Sequence, residues 1–121
     1  MGNFVPVGKT AELEDGKMKE VAAEGRQILL ARVGDKYYAT DNRCPHMGGT
    51  LSLGKLDGTV VTCPRHGSQF DLRHGQVVRW LNMPAPISAL AKLLKPPRPI
   101  ATYPVKLEGD TILVEVAPTT P

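Results

Sequence analysis

The chain has little of several things. Aromatic residues make up 5% of its 121 positions, and it has only two cysteines and three histidines. Sparse aromatics beside 12 glycines and 11 prolines point away from a helical bundle and toward a turn-rich β structure. No apolar stretch approaches the roughly 20 residues a membrane-spanning helix needs. Acidic residues stand in the N-terminal MGNFVPVGKTAELEDG where a signal peptide needs an apolar core. Met1-Gly2 lacks the Ser or Thr that should follow at a myristoylation site. The expected location is therefore the cytoplasm, with no membrane insertion. Thiols stay reduced there, which disfavours a disulfide between the two cysteines. The net charge of +3 is mild and scattered along the chain, without the basic run and interleaved aromatics of nucleic-acid binders, so nucleic acid is not an expected partner. No G-x-G-x-x-G follows a strand-like run, so no flavin or nicotinamide site is expected either.

A chain of this length suits one domain with a modest core, and no stretch reads as an interdomain linker, so residues 1–121 are expected to form a single domain. Short β-rich runs fall between turn signals. Residues 4–7, 18–23, 27–33 and 36–39 read as strands separated by Asp15-Gly16, Glu24-Gly25 and Gly34-Asp35, a spacing that suits consecutive antiparallel hairpins. Residues 59–62, 69–72 and 76–80 follow, with His74-Gly75 as a turn. A last hairpin joins 103–107 to 111–116 through Glu108-Gly109-Asp110. One stretch breaks the pattern. Ile87, Leu90, Ala91 and Leu94 stand at helical spacing, with Ser88 as a cap and Pro96-Pro97 as a stop, which predicts a short helical insertion near residues 87–95.

Both cysteines and two of the three histidines fall in CPHMGGTLSLGKLDGTVVTCPRH, residues 44–66. Each cysteine has a histidine close behind it: Cys44-Pro45-His46, then Cys63-Pro64-Arg65-His66. A disulfide would leave the histidine spacing unexplained, and two thiolates with two imidazoles form a four-ligand set for a borderline or soft metal. Pro45 and Pro64 stiffen the two loops, and Gly48, Gly49 and Gly67 let backbone pass close to whatever sits between them. Zinc and iron–sulfur both use such ligands. Zinc fingers usually place two cysteines together and then two histidines on a helix. Here the order is Cys, His, Cys, His, among strands and loops.

The pattern C-x-H, sixteen residues, C-x-x-H resembles the signature of the Rieske iron–sulfur family, in which two histidines replace two cysteines on one iron of a [2Fe–2S] cluster. Asp41-Asn42-Arg43 before the first loop, HGSQFDLRHG after the second and Pro84-Ala85-Pro86 beyond it extend the resemblance over nearly the whole chain. It implies an all-β, Rieske-like stack of small antiparallel sheets with a cluster-binding region of two ligand loops at about 41–86. It implies one Rieske-type [2Fe–2S] cluster held by Cys44, His46, Cys63 and His66, with Met47, Gly48, Gly67, Ser68, Phe70 and Pro84 around it.

With two thiolates and two neutral imidazoles the oxidised centre is neutral, where four cysteines would make it a dianion. An added electron is therefore accepted more readily, at about −150 to +300 mV for the class. High-potential members carry a second, disulfide-linked cysteine pair and a Ser and a Tyr that bond to the cluster and its ligands. This chain has no further cysteine, has Ser68 at the serine position and has Phe70 where the tyrosine would stand, so a low-to-intermediate potential is expected. His74 is the only histidine left, too few for a mononuclear iron site, and is expected to be a solvated turn residue. Tyr37-Tyr38 is expected to place one ring in the core and one outward.

The function so implied is that of a soluble Rieske-type ferredoxin, not itself an enzyme. It would pass single electrons from a reductase to an oxygenase or other terminal oxidoreductase, and would act as a monomer. The alternatives are a small subunit held tightly by a larger oxidoreductase such as a nitrite reductase, and a zinc-stabilised binding module.

Overall fold

The computed structural model describes residues 3–44, 49–64, 67–79 and 99–116. Among them are eleven strands: β1 (Asn3–Lys9), β2 (Met18–Ala23), β3 (Arg26–Val33), β4 (Lys36–Asp41), β5 (Lys55–Asp57), β6 (Val60–Thr62), β7 (Gln69–Asp71), β8 (Val77–Arg79), β9 (Thr102–Tyr103), β10 (Val105–Glu108) and β11 (Thr111–Val116). They make three sheets in the orders β1-β11-β10, β2-β3-β4-β9 and β5-β6-β7-β8, and all the strand pairs are antiparallel. The all-β expectation holds. The short strand β5, not anticipated from the sequence, completes the third sheet. The helical insertion expected near 87–95, together with Trp80 and the tail after Val116, lies outside the described residues.

Tight turns explain why hairpins form. Four of them have two-residue loops: Glu24-Gly25, Gly34-Asp35, Gly58-Thr59 and Gly109-Asp110. In the last three the glycine takes the first position with positive φ, matching the twist of the flanking strands. The first reverses the order, and Glu24 at φ 52° is the one non-glycine with positive φ among the described residues.

The second sheet is the middle layer, and β3 is buried on both faces. Leu29 and Ala31 join one core cluster with Cys44, Leu51, Val61, Cys63, Phe70 and Leu72. Ile28 and Leu30 point the other way, into a cluster with Ile112 and Val114 of the first sheet. Strand side chains alternate, so a strand covered on both sides needs apolar residues in succession; the run Ile-Leu-Leu-Ala meets that need. The same alternation corrects the expectation for the tyrosine pair. Neither ring is turned out to solvent: Tyr38 packs on the first cluster and Tyr37 on the second, both half-buried. Arg32 stacks over Tyr37 at 5.6 Å and covers its outer face.

Candidate metal centre

Each cysteine opens a hairpin loop, and the two loops share one register. The Cys44 N–H donates to the Gly49 carbonyl at 2.8 Å, and the Cys63 N–H donates to the Ser68 carbonyl at 2.7 Å. One step outward, Arg43 pairs with Thr50 and Thr62 with Gln69. A further step outward, the Leu51 N–H donates to the Asn42 carbonyl at 2.9 Å, and Val61 pairs with Phe70. Each cysteine therefore occupies the same place in an equivalent loop. Both thiols are 2% exposed and belong to the same apolar cluster, and no disulfide joins them.

This donor set fits a metal. Two buried thiols supplied by paired loops suit a soft or borderline cation, whose charge offsets the cost of burying thiolates in an apolar surround. Ser68 and Phe70 are fully buried in the second loop and the strand after it. Gly67 turns that loop with φ 74°, and its N–H donates to the Cys63 carbonyl at 3.2 Å. His46, Met47, Gly48, His66 and Pro84 lie outside the described residues.

The supports beneath the two loops were not recognised in the sequence. Under the first, Asn42 is 2% exposed and its side chain is fully engaged. It donates to Glu20 Oε2 at 2.8 Å and to Ser52 Oγ at 2.9 Å, and accepts the Ser52 N–H at 2.7 Å. The loop is thereby clamped across its two ends and tied to β2. Beside it, Asp41 accepts from the Tyr103 hydroxyl at 2.5 Å and from the Ala101 N–H at 3.3 Å, while Arg26 donates to the Tyr103 oxygen at 3.3 Å. Burial, then the Asp41 carboxylate, pushes the Tyr103 phenol above its ordinary pKa.

Under the second loop the support is a sheet. Arg79 Nε donates to the Gly67 carbonyl at 3.1 Å. Asp71, 5% exposed, takes a two-pronged bond from Arg73, with Nε–Oδ1 at 3.0 Å and Nη2–Oδ2 at 2.7 Å, and also accepts the Arg73 N–H. The Arg73 hydrogen bonds hold the Asp71 carboxyl well below the usual carboxylate range, against the opposing effect of burial. His74 accepts the Gln76 N–H through Nδ1 at 3.2 Å, with its side chain half exposed in the turn. Gly54 joins the two loops: a Cβ there would collide with the Thr62 carbonyl and meet Pro64 Cδ at 3.1 Å. Only a residue without a side chain lets the chain leaving the first loop lie this close to the entry of the second.

A three-sheet β body carrying two matched loops, each with one buried thiol, is an arrangement suited to a protein built around a single soft-metal centre. Residues 3–104 match the model of the Rieske [2Fe-2S] domain, and the chain belongs to that family. Membership brings with it one Rieske-type [2Fe–2S] cluster. Over 106 residues the chain is 32% identical to the ferredoxin component of a naphthalene 1,2-dioxygenase system from Pseudomonas aeruginosa, covering 88% of each. Among solved structures it is similar to the ferredoxin of carbazole 1,9a-dioxygenase from Nocardioides aromaticivorans IC177, with TM-score 0.77 and 26% identity over 93% of this chain and 96% of that one. It is also similar to a chain in a complex of reduced oxygenase and oxidized ferredoxin of carbazole 1,9a-dioxygenase, with TM-score 0.74 and 26% identity over 93% and 92%. No helix among the described residues is long and apolar enough to cross a membrane.

Proposed function

We propose that the chain is a ferredoxin of the Rieske type, a one-electron carrier that accepts from a reductase and delivers to the terminal oxygenase of a dioxygenase system. The carrying observation is the shared register of the Cys44 and Cys63 loops, which brings two buried thiols to equivalent positions in one core. The relatives' roles as ferredoxin components of dioxygenase systems support the same reading. Cys44 and Cys63 are assigned to one iron, and His46 and His66, behind them in each loop, to the other. When bound, the cluster supplies a reversible one-electron couple. The protein's own residues do the rest. The apolar cluster of Leu51, Val61, Phe70 and Leu72 excludes water from the thiol side. The Asn42 clamp and the Arg79 bond hold the loops so that little rearrangement accompanies electron gain or loss. Ser68, fully buried beside Cys63, is assigned a hydroxyl bond on the sulfur side. The whole chain serves as a single domain with its cluster region at about 41–86, working as a monomer in the cytoplasm.

Colour and spin resonance test this directly. Purified protein should be red-brown and give a Rieske-type EPR signal after dithionite reduction. It should carry two irons per chain, and the signal should vanish on reoxidation. A colourless protein with one zinc per chain would replace this reading with a structural zinc site.

A further inference from the structure

The scatter of charge along the sequence resolves into a polarity in the fold. Residues 41–79, which hold both loops, contain five cations against three acids, whereas residues 3–40 and 99–116, the body beneath, contain seven against nine. Of the three acids in 41–79, Asp71 is engaged by Arg73 and Asp41 by Tyr103 and Ala101, while Asp57 shares the exposed face of β5 with Lys55, one step further from the loops. Glu20 of the body also reaches the first loop, where it accepts from Asn42. Across the third sheet, Lys55, Thr62, Gln69 and Arg79 stand opposite one another in register. Opposed residues share a face. Their neighbours Val61 and Phe70 face the core, so this row faces out. Thr62 and Gln69, joined side chain to side chain at 3.2 Å, form the base of the second loop, and the two cations flank it. Lys55 sits one strand away on the Thr62 side, and Arg79 reaches Gly67 on the other. Arg43 is exposed at the mouth of the first loop. Among the described residues none of these three cations has a carboxylate within salt-bridge distance. Leu53, next to Gly54 and hence beside Pro64, is 78% exposed, the most exposed large apolar side chain described.

We propose that the loop end of the third sheet, with Lys55 and Arg79 on either side of the second loop, Arg43 at the mouth of the first and Leu53 exposed beside Pro64, is the docking face for an acidic protein surface that surrounds the redox centre of the partner. The proposal rests on the ferredoxin reading and adds to it the sign of the partner's charge. Three cations without a salt-bridge partner among the described residues steer an acidic surface toward the loops. The exposed leucine suits a protein, whose interface core takes apolar side chains, better than a nucleic acid, which offers phosphates. The strong positive field is also local, because charges more than about 10 Å away are largely screened at 0.1 M salt.

The test uses the reduced, cluster-loaded protein in a stopped-flow instrument, with small oxidants of opposite charge that each take one electron from it. Oxidation by hexacyanoferrate(III) should slow as ionic strength rises, and oxidation by the cationic tris(phenanthroline)cobalt(III) should quicken. Lys55→Glu should slow hexacyanoferrate(III) roughly twofold at about 0.1 M salt, where distant charges are screened, with Lys55→Gln between it and the parent. Lys36→Glu makes the same change in net charge at the far end of β4, roughly 16 Å from Asp41. It should leave the rate nearly unchanged. Poly-L-glutamate should protect the parent and Lys36→Glu against oxidation, and protect Lys55→Glu less. Equal responses of Lys36→Glu and Lys55→Glu, or protection by a DNA duplex and not by poly-L-glutamate, would overturn the proposal while leaving the electron carrier intact. A protein without a Rieske EPR signal would overturn the carrier reading, and the docking face with it.

Discussion

The two cysteine loops have the same backbone plan and different foundations. From cysteine outward, the pairs 44–49, 43–50 and 42–51 match 63–68, 62–69 and 61–70. Beneath the second loop those pairs continue into a four-stranded sheet, so backbone bonds hold it. Beneath the first the ladder stops at an isolated bridge, and a single buried side chain, Asn42, does with three hydrogen bonds what strands do elsewhere. Equivalent loop geometry thus does not require equivalent secondary structure. It requires that the backbone groups near the two thiols be satisfied, by a sheet or by a polar side chain.

The strongest way to break the comparison is at the cysteines themselves. Cys44→Ser and Cys63→Ser should each abolish the cluster, with iron content and visible absorbance falling near to background in both. A variant that kept its cluster would show the loops to be unequal as ligand holders. Next come the foundations. Asn42→Ala leaves the Ser52 N–H and Glu20 without their partner and should cost about 2–3 kcal/mol, whereas Arg79→Ala loses one half-buried bond beside an intact sheet and should cost about 1 kcal/mol. Denaturant titrations of the two variants should rank them in that order; the reverse would place the weaker foundation under the second loop. Gly54→Ala strikes the join between the loops and should destabilise by about 1–3 kcal/mol, with slower cluster loss in the parent than in the variant as the second readout.

The loops should also differ in their response to pH. Beside the second, the carboxyl of Asp71 is held low, so its contribution is present above the ordinary carboxylate range near pH 4 and is lost as pH falls below it. Beside the first, the Tyr103 phenol is pushed up, so its contribution is present below about pH 10 and is lost as pH rises past its folded value. The stability gap between parent and Asp71→Asn should begin to narrow as pH falls below about 4, and that between parent and Tyr103→Phe as pH rises above about 10, in unfolding curves measured from about pH 3 to 11. The smallest effect expected is electronic. Ser68→Ala should lower the reduction potential by roughly 20–60 mV, the net worth of one hydrogen bond expressed for a single electron. An unchanged midpoint in a redox titration would remove Ser68 from the sulfur side.

Much of this arrangement could be read from the chain. The strand runs were legible because β3 needs apolar residues on both faces and the turns need glycine at positive φ. The placing of each cysteine at a loop was legible because each is followed by Pro within a short stretch between strand-like runs. The foundations were not. Asn42, Ser52 and Glu20 are ordinary polar residues whose meeting depends on β2 lying beside the first loop. Gly54 looks like any loop glycine until Thr62 is placed against it. Tyr37 was expected to need either core or solvent, because a second core on the far side of the middle sheet cannot be inferred from one strand.

The sequence alone determined the order of the cysteines and histidines and the hairpins that bring each cysteine to a loop, because local turn chemistry and side-chain alternation act within a few residues. Only the tertiary structure decided that the two loops share one register, that one stands on a sheet and the other on a buried amide, and that Lys55 and Arg79 flank the base of the second loop. Those outcomes depend on contacts between residues far apart in the chain, and packing, not local preference, sets which of them meet.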